Sequence, residues 1–147
     1  MNPTIQGIVT VLGRVFLSAI FLLSAVGNKI PHFGDVAQMM GSVGVPIPHA
    51  MLAGAIAFLI AGSLSVILGF HARIGASLLI VFLILATYYF HPFWRLEGAE
   101  QVQQNIQFMK NLSMAGAMLF IVANGSGAWT LDRVLFREPL VASQQLA

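Results

Sequence analysis

Four long apolar stretches, residues 5–26, 50–70, 74–90 and 108–123, divide the chain, and polar residues and prolines gather in the joints between them. A helix needs about 20 mostly apolar residues to cross a hydrocarbon core of about 30 Å, since each residue adds about 1.5 Å. Pro46 and Pro48 stand just ahead of the second stretch and Pro92 ends the third. The fourth carries Lys110 and Asn111 in its first turn and stops at Asn124-Gly125. Four strands are implausible, because an open sheet cannot leave its edges in lipid. The pattern predicts an all-α membrane protein: an antiparallel bundle of four transmembrane helices, one domain over residues 1–147, with a polar tail at 139–147.

The joints differ. Little more than Gly69-Phe70-His71-Ala72-Arg73 links the second and third stretches, which predicts a tight antiparallel hairpin. Phe33, just before Gly34, and Val36, Met40 and Val43, between Gly34 and Gly44, recur at helical spacing, which predicts a short amphipathic helix at the interface. Trp94 and Trp129 flank the third and fourth stretches, and Tyr88 and Tyr89 lie near the end of the third, as in an interfacial aromatic belt. Ala53, Ala57, Ala61, Ser65 and Gly69 follow one another at intervals of four. Such a stripe lets a neighbouring helix approach closely, or faces a partner subunit; Ser113, Gly116 and Ala117 form a smaller version.

Composition agrees with lipid as the main solvent. Charged residues are 8% of the 147, against about 25% in soluble domains. Hydrophobic residues reach 58% and mean hydropathy is +0.86. The net charge is only +2 and no basic run exists, so nucleic-acid binding has no electrostatic basis. Without cysteine there is no thiolate nucleophile, disulfide exchange or Cys-ligated metal. A cleaved signal peptide is not expected. Ser24-Ala25-Val26-Gly27 mimics a cleavage site, but the apolar stretch is too long and Arg14 interrupts it. Basic residues are balanced across the membrane, three on each side; both termini are expected on the cytoplasmic side, towards which Arg14 would snorkel.

Antiparallel topology sorts the polar residues. Asn28, Lys29, His32, His49, Tyr88, Tyr89, His91, Trp94, Lys110 and Asn111 all fall on one face, while the other collects His71, Arg73, Asn124 and the tail. The cluster reads either as a collar of snorkelling side chains or as a pocket for a headgroup or quinone-type ring. A metal or haem site from His32, His49 and His91 lacks HxxxH or HxxE spacing, and no metal is expected. Arg14 lies well inside the first stretch, where no acidic residue is available to pair with it. Near the bilayer centre such a charge costs about 2.5–3.5 kcal/mol. Gly7, Arg14, Ser18, Ala25 and Asn28 fall near one helical face, which is expected to look into the bundle.

Gly13-Arg14-Val15-Phe16-Leu17-Ser18-Ala19-Ile20-Phe21 followed by Gly27-Asn28-Lys29-Ile30 resembles the first helix of DoxX-type membrane proteins. Gly44-Val45-Pro46-Ile47-Pro48, Leu68-Gly69-Phe70-His71-Ala72-Arg73 and Thr87 through Trp94 resemble that family's link, tight turn and aromatic helix end. Phe108 to Ala117, with Gly125-Ser126-Gly127 and Leu131-Asp132, resembles its fourth helix. The resemblance implies a four-helix inner-membrane protein. It also marks Lys29, Lys110 and Asn111, with Arg14, as candidate site residues, but none as catalytic. The family takes its name from a subunit associated with thiosulfate:quinone oxidoreduction, so quinone is the cofactor it suggests. The expected function is an accessory or quinone-interacting subunit beside redox partner proteins. A chaperone-like assembly factor, a homo-oligomer held by the small-residue stripe, and a small lipid or solute transporter are the alternatives.

Overall fold

The computed structural model describes residues 2–136, so the tail expected at 139–147 lies outside the described residues. Six α-helices follow one another: α1 Pro3–Ser24, α2 Phe33–Ser42, α3 Pro48–Leu68, α4 Ala72–Phe90, α5 Gly98–Asn124 and α6 Leu131–Leu135. A π-helical turn, Ala25–Lys29, prolongs α1, and a 3₁₀ turn, Phe93–Arg95, follows α4. Four of the resulting helical stretches, Pro3–Lys29, Pro48–Leu68, Ala72–Arg95 and Gly98–Asn124, are long and apolar enough to cross a membrane. Phe16 (72% exposed) and Phe120 (68%) project from their outer faces, which hydrocarbon tolerates and water does not. The protein is an all-α membrane bundle.

Local chemistry explains where each helix begins and ends. Asn2 accepts the Thr4 N–H through Oδ1 at 2.9 Å, and Pro3 opens α1 with its φ already set. Pro48 does the same for α3. Gly69 ends α3 in the left-handed region, φ 64°, and the Phe70 N–H closes the turn onto Ser65 O at 3.0 Å. The fourth membrane helix starts at Gly98, ten residues before the apolar stretch does. Its first turns are rich in Gln and Asn, so the apolar pattern marks only the part in hydrocarbon.

The α3–α4 hairpin is the tightest joint. A Cβ on Gly62 would lie 2.9 Å from Gly75 O, and one on Gly75 would lie 2.9 Å from Gly62 O. The core spreads from there through Phe21 and Ala25, Leu59 and Val66, Leu79 and Leu83, and Met118 and Ile121. In lipid this packing is van der Waals attraction rather than hydrophobic drive. A second, smaller core forms where α2 lays Val36, Ala37 and Met40 against Leu52; Val43, at the end of the predicted stripe, is 41% exposed.

The small-residue stripe on α3 does not make the tight seam along its length. Ala53, Ala57 and Ala61 are exposed, and only Ser65 and Gly69 reach the packed face. Residues four apart advance about 400°, so each step drifts about 40° round the helix. On α5, Ser113 and Gly116 are likewise exposed, and Met118 and Ile121 face inward. The predicted inner face of α1 fares differently: Gly7, Arg14, Ser18 and Ala25 are buried, and Asn28 is exposed. The π turn slips the register between Ala25 and Asn28, because Ile30 N–H reaches five residues back to Ala25 O at 2.9 Å.

Candidate functional site

The end of α1, one face of α2, the start of α3, the end of α4 and the first membrane turns of α5 line a cavity of about 590 Å³. That volume suits a small organic molecule. Phe21, Phe58, Phe82, Leu52 and Met114 contribute apolar walls, and α2 closes one side with Val36 and Met40.

The polar groups of the cavity are few. Lys29 donates from Nζ to Ser24 Oγ at 2.6 Å and stands 5.5 Å from the centroid of the Phe82 ring. In an uninterrupted α-helix two residues five apart point about 140° away from each other. The π turn brings residues five apart nearly above one another, which aims the ammonium across Ser24. Asn111 donates from Nδ2 to Thr87 Oγ1 at 2.9 Å, and a 2.8 Å hydrogen bond joins His91 Nδ1 to Gln104 Oε1. Among the described residues no carboxylate lines the cavity, and the one ion pair, His71 with Asp132, lies at the other end of the bundle.

Of the residues singled out in the sequence, Asn28, Lys29, Tyr89, His91 and Asn111 line this cavity. His32, His49, Tyr88, Trp94 and Lys110 sit at the same end outside it. His32 Nδ1 pairs with Asn28 O at 3.1 Å, His49 faces the Phe33 ring, and Tyr88 and Trp94 are about half exposed. Lys110 is exposed although Asn111 points inward, since neighbours on a helix differ by about 100°. No three His, Cys, Asp or Glu side chains converge as a metal site among the described residues. Ser24, Phe82 and Met114 carry no sequence signal for the site; the π turn and the packing of α4 against α5 bring them in.

Arg14 belongs to the opposite end. Its guanidinium is 5% exposed and donates to Trp129 O at 2.7 Å and Ser126 O at 3.4 Å, while Nε has no partner among the described residues. A side chain on Gly69, the last residue of the α3 turn, would collide with it. Arg14 therefore lies level with the end of α3, not at the middle of the bundle. Residues 125–130 fold back to supply its acceptors: Trp129 lies over Gly7, Thr10 packs on Gly127, and Asp132 caps α4 by accepting the His71 N–H at 3.0 Å.

Four membrane helices around an apolar cavity, with a lysine ammonium in its wall, make this a multi-pass membrane protein with an internal chamber. The chain belongs to the DoxX family, whose model matches residues 9–92. That segment runs from α1 to α4 and holds every cavity residue except Asn111 and Met114. The chain is 32% identical to inner membrane protein YphA of Escherichia coli (strain K12) over 126 residues, 86% of this chain and 89% of that one. It is 30% identical to inner membrane protein YqjF of the same organism over 131 residues, 89% and 95% of the two chains. No solved structure is significantly similar to it.

Proposed function

We propose that the protein is a binding subunit of an oxidoreductase system in the inner membrane and holds a quinone-type ring in its cavity. The observation that carries this reading is a chamber with apolar walls and few donors, Lys29 Nζ and Asn111 Nδ2 among them, which suits a ring with hydrogen-bond-accepting oxygens. Electron donors and acceptors then belong to partner proteins; without cysteine this chain has no thiol–disulfide couple of its own. The inner-membrane address follows the two relatives, which are inner membrane proteins by name. We infer that both termini face the cytoplasm, because the basic residues otherwise balance and Arg14 lies nearer that end of the bundle; reporter fusions at either terminus test it.

The test of the binding role is titration of a short-chain ubiquinone into protein held in nanodiscs. Saturable binding at one molecule per chain is expected, abolished by Ala55→Trp, which fills the cavity, and weakened by Asn111→Leu. Binding that never saturates, or that survives Ala55→Trp, overturns it.

A second reading, an assembly factor that holds partner helices, is favoured by the outward face of Ala53, Ala57 and Ala61. Recovery of one stoichiometric partner by cross-linking, lost in Ala57→Leu, would support it over the first.

A further inference from the structure

We propose that the cavity takes its ligand as an anion, with Lys29 as the counter-charge; this rests on the binding role argued above and narrows its substrate class. Among the described residues Lys29 is the one lysine or arginine in the cavity wall, and no Asp or Glu shares that wall. No carboxylate lies within 4 Å of its Nζ among the described residues, whose single ion pair is His71 with Asp132. The two groups that touch the ammonium, the Ser24 hydroxyl and the Phe82 ring, are both neutral. They orient and stabilise the charge but leave it uncancelled.

A charge away from water is ordinarily paired, because an apolar surrounding penalises it. Arg14 meets that demand with main-chain carbonyls and is sealed in. Lys29 is not sealed: it forms part of the cavity surface. An ammonium carries three N–H donors, and one is taken by Ser24, so two remain for an oxygen in the cavity. Asn28 and Asn111, neutral amides in the same wall, add donors without adding charge. The cavity thus combines apolar walls for a ring or chain with positive charge and no negative charge. That favours an apolar acid over a neutral molecule of the same shape. Among quinone-type compounds it favours those with an ionised ring hydroxyl.

Two probes of nearly equal shape separate charge from fit: 2-hydroxy-1,4-naphthoquinone, ionised at pH 7.5, and its neutral 2-methoxy ether. Both are titrated into wild-type protein, Lys29→Met, Lys29→Gln and Lys29→Arg in nanodiscs of uncharged lipid. Comparing each probe between variants cancels its partitioning into the bilayer. The expected result is a loss of about tenfold for the hydroxy compound in Lys29→Met and Lys29→Gln, no change for the ether, and near wild-type binding in Lys29→Arg. Equal losses for both probes, or no loss for either, overturn the charge selectivity and leave the quinone reading intact. Laurate is the third probe. Lys29-dependent laurate binding without binding of either naphthoquinone would support the anion site and sink the quinone reading. Failure of all three to bind the wild-type protein sinks both.

Discussion

At one end of the bundle Arg14 is buried and donates to Trp129 O at 2.7 Å; at the other Lys29 reaches only Ser24 Oγ and faces a cavity. Both are cations on the same helical stretch, Pro3–Lys29, in a chain whose other buried polar side chains, Ser18, Ser63 and Thr130, are all neutral hydroxyls. The difference lies in what surrounds them. A planar guanidinium offers five donors, and residues 125–130 fold back to present carbonyls to it, which ties the C-terminal segment to α1 and to the α3–α4 turn. A lysine has one point charge on a flexible stem, and among the described residues its one hydrogen bond is to the neutral Ser24 hydroxyl. The first arrangement holds helices together. The second leaves a charge available to something that is not part of the fold.

Stability measurements should split along this line. The largest effect is expected from Gly69→Val, which forces a branched residue to φ 64° and drives it into Thr130, 2.8 Å from the position of the new Cβ. The combined strain and overpacking should cost about 3 kcal/mol, seen as early loss of the monodisperse peak on heating in detergent. Arg14→Leu comes next. It strips the Trp129 and Ser126 carbonyls of their donor, with an expected loss of about 2 kcal/mol and faster proteolysis after α5. Asp132→Ala removes a partly exposed cap from α4, so a loss of only about 0.5–1 kcal/mol is expected, measured in the same heating assay. Lys29→Met should leave the midpoint unchanged or raise it, because it removes a charge that no carboxylate among the described residues pairs with. If Lys29→Met destabilised the protein as much as Arg14→Leu, the contrast between the two ends would fail.

Much of this architecture can be read from the chain, and the exceptions have identifiable causes. The four membrane helices follow from apolar length, the hairpin from Gly69 to Arg73, and α2 from the spacing of Phe33, Val36 and Met40. The start of α5 is hidden because hydropathy reports hydrocarbon and not helix, and residues 98–107 are helical but polar. The depth of Arg14 is hidden because counting from the N-terminus assumes that α1 and α3 end at the same level. In fact α1 runs past the α3 turn, beside residues 125–130. The polar cluster is legible as a face but not as a site. Helical rotation turns Asn111 in and Lys110 out, and Tyr89 in and Tyr88 out.

Chain composition and the length of the apolar stretches alone determined the membrane setting, the number of membrane helices and the sorting of polar residues to two ends. These depend on the free energy of each segment against lipid, which is a local property. Whether a cation is sealed or exposed, which small residues touch, and where a chamber opens were decided only in three dimensions. They turn on helix rotation, on one slip of register at Ala25–Lys29, and on a C-terminal segment returning to a helix more than a hundred residues earlier.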